Sequence, residues 1–171
     1  GKYRIASARW ATWDYGRNAA YFVTICTQGR AHHFGQIANR AMTLSPLGQA
    51  AWDCWSQIPD HFPFVRLGAF VVMPNHVHGI IVIDKPVETQ DFASLRPTNQ
   101  FGPQSKNLAS IVRGYKIGVT KFARQHEIPF GWQPRYYDRV IRDADEYARI
   151  ERYIQTNPEN WQTDSLFGEQ P

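Results

Sequence analysis

Residues 65–83 read VRLGAFVVMPNHVHGIIVI, two apolar, β-branched runs joined by Met73-Pro74-Asn75. Proline presets the backbone for a turn and asparagine tolerates its tight second half, so the segment predicts an antiparallel hairpin. Both runs are apolar at odd and even positions alike, which places both as central strands buried on two faces. Upstream, AAYFVTICT (19–27) is β-branched and aromatic and reads as a further strand. Ser45-Pro46 offers an N-cap and a first-turn proline, and Leu47, Ala51, Cys54, Trp55 and Ile58 mark one face of a helix ending near Pro59. Downstream, Leu108, Ile111, Val112, Tyr115, Val119 and Phe122 form the apolar stripe of a helix over about 107–126. A short strand is expected near 136–142. A last helix is expected to open at Asp143, with Glu146 three residues on, and to stop at Asn157-Pro158. The order strand, helix, hairpin, helix, strand, helix predicts an α+β domain with helices packed on an antiparallel sheet.

The chain has 171 residues, enough for one domain and too few for two well-cored ones. Hydrophobic residues make up 43% and aromatics 14%, which excludes a wholly disordered chain. No apolar run approaches the roughly 20 residues that span a bilayer, and the opening GKYRIASARW has no apolar signal region. A cytoplasmic protein without a membrane partner is therefore expected. Two cysteines, Cys26 and Cys54, rule out a disulfide scaffold and read as a reduced, buried pair. Residues 84–106 hold three prolines among polar residues and read as a long mobile loop; residues 143–171 read as the C-terminal helix and tail of the same 1–171 domain.

Charge is concentrated. Residues 111–142 carry Arg113, Lys116, Lys121, Arg124, Arg135, Arg139 and Arg142 against Glu127 and Asp138, a net +5 within a chain of net +4. Lys2, Arg4, Arg9 and Arg17 form a smaller basic cluster at the start. With Trp132, Tyr136 and Tyr137 interleaved, the main cluster suits a polyanion partner such as nucleic acid; a solvated face with ordinary ion pairs is the plainer alternative.

His76 and His78 lie two apart on a strand, so both imidazoles leave the same face. They are either a hydrogen-bonded pair or half of an open cation site. Two histidines are too few for a closed zinc site, whereas Mg²⁺ or Mn²⁺ completed by water and a substrate phosphate accords with them. Tyr115 sits on the apolar stripe of its helix, which makes a core tyrosine the common reading. Arg113, Lys116, Lys121 and Arg124 on the same helix would stabilise a phenolate and favour a nucleophile.

The motifs resemble a known family. MPNHVHG (73–79) resembles the His-hydrophobic-His motif of the HUH single-tyrosine transposases, YFVTICTQGR (21–30) their first strand, and SIVRGYKIGVTKFAR (110–124) the helix carrying their nucleophilic tyrosine. WQPRYYDRVIRDADEYARIERYIQTNPENW (132–161) resembles the tail of the branch called REP-associated tyrosine transposases. The likeness runs over roughly 5–165. It implies a ferredoxin-like antiparallel sheet and a metal-dependent single-strand DNA endonuclease and strand transferase acting on hairpin or repeat DNA. His76 and His78 would hold the cation. Tyr115 would form a 5′-phosphotyrosine and free a 3′-OH. Relatives from insertion sequences often carry a ligand one turn after the tyrosine, where this chain has Val119. The branch implies a monomer rather than a dimer. A non-catalytic nucleic-acid-binding module and a phosphodiesterase using water are the alternatives, and a covalent protein–DNA adduct separates them.

Overall fold

The computed structural model describes residues 19–84, 107–164 and 166. The basic cluster at Lys2, Arg4, Arg9 and Arg17, nearly all of the 84–106 segment and the end of the tail lie outside the described residues.

Strand β1 spans Ala19–Cys26, followed by the short strands β2 (Gly35–Ala38) and β3 (Ala41–Leu44). Helices α1 (Pro46–Ser56) and α2 (Ile58–His61) lead into the expected hairpin, β4 (Val65–Met73) and β5 (His76–Ile83). Helix α3 (Leu108–Gln125), strand β6 (Tyr137–Ile141) and helix α4 (Ala144–Thr156) complete the order, and a 3₁₀ turn at Trp161–Thr163 follows. The helix starts are those the sequence announces. Ser45 Oγ accepts from Gly48 N at the head of α1, and Asp143 Oδ1 from Glu146 N at the head of α4. At α3, Asn107 and Ser110 cap one another reciprocally.

The main sheet has the order β4-β5-β1-β6, with every neighbouring pair antiparallel. β1 and β4 thus run parallel with β5 inserted between them, the split arrangement of ferredoxin-like folds. Helices α1 and α3 cover one face, where Tyr21, Val23, Ile25, Val77 and Ile81 meet Leu47, Ala51, Trp55, Ile111 and Val119. Helix α4 covers the other, where Phe22 and Ile80 meet Ile150 and Ile154. Gly79 admits a close approach by α1, since a Cβ there would lie 2.1 Å from the Trp55 ring.

Two features differ from the sequence expectations. β5 is central and buried, but β4 is an outer strand among the described residues and is largely half-buried. Its apolar side chains are matched by local cover rather than by a second strand: Trp52 and Trp55 pack on Phe70. A bulge between Leu67 and Phe70 also breaks the register, which blunts an edge against further pairing. The second difference is the β2–β3 hairpin, which no expected strand anticipates. Its strands are four residues each, too short for alternation to register. Its turn residues Asn39 and Arg40 both take positive φ, 51° and 64°, the backbone of a tight primed turn without the usual glycine. No helix among the described residues is long and apolar enough to cross a membrane.

Candidate metal and nucleophile site

Alternation along β5 puts His76, His78 and Ile80 on the α4 face of the sheet. Both histidines are buried, with their Nε2 atoms 3.0 Å apart. Each ring is held from behind. Asn75 Nδ2 donates to Leu166 O at 2.8 Å, which orients the amide so that Asn75 Oδ1 faces His76 Nδ1 at 2.7 Å. His76 Nδ1 therefore carries the proton and its Nε2 lone pair points into the cluster. His78 Nδ1 meets Thr24 Oγ1 at 2.8 Å, across the β5–β1 pair. Phe22 stacks on the His78 ring and Trp161 on the His76 ring.

Other side chains converge on the same point. Asp164 Oδ2 lies 3.9 Å from His76 Nε2, and the ligand atoms of His76, His78 and Asp164 all fall within 4.8 Å of one another. Asp164 Oδ2 accepts from Asn157 Nδ2 at 2.8 Å and its Oδ1 from Leu166 N at 2.9 Å. Asn157 is 1% exposed, and its buried Oδ1, which makes no well-formed hydrogen bond, faces the His76 ring. The His76, His78 and Asp164 donor atoms, with the Asn157 amide oxygen facing His76, make a nitrogen and oxygen donor set suited to a divalent cation. Burial, with His78 alongside, holds His76 well below the usual imidazole range, and burial draws His78 down to about 4 against the pull of Asp164. Both rings are therefore neutral near pH 7, the form that ligates.

Tyr153 comes from α4, one turn before Asn157, so the two share a face of the helix. Its half-buried ring lies 5.4 Å from that of His78, centroid to centroid.

Tyr115 is elsewhere. It belongs to the α1–α3 face of the sheet, opposite the histidines, with its ring edge-on to Trp55 and its hydroxyl donating to Ala51 O at 3.1 Å. Burial pushes its phenol well above the usual value, which disfavours a phenolate. The basic neighbours expected to activate it do not reach it. Arg113, Lys121 and Arg124 point outward, and Lys116 Nζ is spent on Gln133 O at 3.0 Å. The apolar stripe that carries Tyr115 is the packing face of α3, so the same periodicity that singled it out also buries it away from the histidines.

The expected nucleic-acid contacts divide likewise. Trp132 packs among Phe34, Phe130 and Tyr115 and donates its indole N–H to Lys116 O, leaving it a core residue rather than a stacking platform. Arg139 is ion-paired with Glu146. Arg135, Arg142 and Tyr137 are exposed, and Tyr136 is half-buried. Tyr153 and Asn157 were legible as an i, i+4 pair on the inward side of the last helix. Asp164 has no sequence signal, since a loop brings it in.

At 40% identity over 98% of this chain and 95% of the relative, the chain belongs to one family with an uncharacterised protein of Haemophilus influenzae. A candidate REP-associated tyrosine transposase of the same organism is 25% identical over 85% of this chain and 73% of that protein. A solved REP-associated tyrosine transposase bound to a REP hairpin shares the fold, with a TM-score of 0.55 and 19% identity over 85% of this chain and 70% of that one. No family model matches the chain.

Proposed function

We propose that this chain, similar in sequence to one REP-associated tyrosine transposase and in fold to another, is a metal-dependent single-strand DNA endonuclease and strand transferase acting on hairpin or repeat DNA. Its nucleophile is Tyr153 rather than Tyr115. The observation that carries this reading is the Tyr153 ring against His78 on the face that also gathers His76, Asn157 and Asp164. His76 and His78 hold the cation with Asp164 and Asn157 Oδ1 beside them. A divalent ion there, Mg²⁺ or Mn²⁺, would polarise the scissile phosphate. Tyr153 Oη loses its proton and bonds to phosphorus, the P–O3′ bond breaks, and the 3′ oxygen takes up a proton to leave as a hydroxyl. The product is a 5′-phosphotyrosine, and attack on it by another 3′-OH reverses the step onto a new strand. Arg113, Lys121, Arg124, Arg135 and Arg142 supply phosphate contacts, and Tyr136 and Tyr137 offer faces to unpaired bases.

The test is incubation with hairpin DNA bearing single-stranded flanks and Mn²⁺ or Mg²⁺, read as a covalent adduct on a denaturing gel. Wild type and Tyr115→Phe should form the adduct and Tyr153→Phe should not. Adduct formation by Tyr153→Phe, with none by Tyr115→Phe, would return the role to Tyr115. Cleavage without any adduct would make water the nucleophile, and binding without cleavage would leave a non-catalytic module.

A further inference from the structure

Across the sheet from the histidines, a groove of about 660 Å³ runs between α3 and residues 134–136. Its floor is apolar, made by Ala109, Pro134, Tyr136 and Ile117, which is 61% exposed. Its rim carries Arg113, Lys121 and Arg124, and no carboxylate among the described residues lines it. A large aliphatic side chain left bare beneath a cationic rim suits a ligand that is apolar on one side and anionic on the other. Duplex DNA does not meet that description, because its base faces are stacked inside. An unpaired strand does, offering flat base faces and phosphates together.

The groove and the metal site lie on opposite faces but share one border. Tyr136 immediately precedes and Tyr137 opens β6, the outer strand of the sheet among the described residues. Tyr136 faces the groove, while Tyr137, 47% exposed, pairs with Thr24 and so stands in the cross-strand row Tyr137–Thr24–His78 on the other face. Successive strand residues point to opposite sides, so the two rings flank the edge.

We infer that the α3 groove holds the single-stranded flank of the hairpin substrate, and that this strand turns over the β6 edge past Tyr136 and Tyr137 to reach His76 and His78. The inference rests on the DNA transferase reading of that site. It assigns the groove to unpaired DNA and leaves the hairpin stem to other surfaces. The three rim cations would neutralise about three phosphates, so the contribution of the flank should fall with salt at a log–log slope of about −2.

Fluorescence anisotropy tests it without catalysis, using the full chain in EDTA and one hairpin carried blunt or with flanks of increasing length. Wild-type affinity should rise as the flank lengthens. The triple variant Arg113→Ala, Lys121→Ala, Arg124→Ala and the single variant Ile117→Glu should each lose about tenfold on the long-flank oligonucleotide and nothing on the blunt hairpin. The triple variant should also lose the extra salt slope. These side chains are exposed, and unchanged melting temperatures would show that folding is not the cause. Tyr137→Ala should weaken short and long flanks alike, since it stands at the sheet edge in the same cross-strand row as His78. Equal losses on blunt and flanked hairpins would overturn the inference by giving the groove to the stem. No loss on either would also overturn it and leave the groove to a protein partner. The adduct assay separates the two readings. Flank-dependent binding without an adduct sinks the transferase and keeps the path, whereas an adduct with groove variants binding like wild type sinks the path alone.

Discussion

Tyr115 donates its hydroxyl hydrogen to a backbone carbonyl, Ala51 O, among core side chains, whereas Tyr153 lies half-buried against an imidazole. For Tyr115→Phe the only loss is one neutral hydrogen bond within a ring-shaped space that Phe still fills. Urea unfolding should show a cost of about 1 kcal/mol, with adduct yield unchanged. The residues behind the histidines have a different signature. Thr24 and Asn75 touch Nδ1 atoms, not the point where a cation would sit. Thr24→Val and Asn75→Ala should each weaken Mn²⁺ binding about 10–100-fold by calorimetry, because a ligating imidazole depends on the partner that fixes its ring and tautomer. Wild-type Mn²⁺ affinity in both would remove that role.

Helix α4 carries Tyr153 and Asn157, so what locks α4 to the sheet sets the geometry of the site. Glu146 does much of this at the helix head. Its Oε2 accepts from Arg142 N at 3.1 Å, its Oε1 pairs with Arg139 of β6, and its own backbone N–H is capped by Asp143. Glu146→Ala should cost about 1–3 kcal/mol of stability, the range for a lost charged hydrogen bond, here moderated by the partly exposed Arg139. It should lower adduct yield more than hairpin affinity, which thermal melts, gels and anisotropy would show together. On the far face, Gly79→Ala drives a methyl into the Trp55 ring, so α1 must move off β5. Overpacking of that kind costs about 1–3 kcal/mol. A melting temperature equal to wild type would mean that α1 yields freely.

At the scale of the whole molecule, the buried histidines couple folding to pH. His78 titrates at about 4 when folded and His76 well below its ordinary value, against roughly 6.5 in an unfolded chain. In the intervening window the unfolded chain binds protons that the folded chain refuses. Their contribution to stability is therefore complete above about pH 6.5 and is lost as pH falls through that window. Asp164 opposes part of that loss by favouring the protonated form of His78. Denaturant unfolding at pH 7 and pH 5 should show a marked drop for wild type and a smaller one for His78→Gln. Equal drops in the two proteins would take His78 out of the linkage.

Much of this architecture is local and could be read from the chain. Pro74-Asn75 makes the β4–β5 turn, Ser45 and Asp143 cap their helices, and period two alone requires His76 and His78 to share a face. The sheet face each helix would cover was not legible. Helix α3 presents Tyr115 inward and α4 presents Tyr147 and Tyr153, and periodicity says only that such rings face the sheet, not which side of it. Side is set by how the split strands connect and by where α4 lands after β6, and both depend on long-range pairing. Asp164 and Leu166 reach the histidines through a tail with no repeating pattern. The four main strands, the helix starts and the paired imidazoles follow from neighbours a few residues apart and are written in the chain. Only the tertiary structure decided which tyrosine meets those imidazoles, because that turns on which face of a sheet a helix packs against.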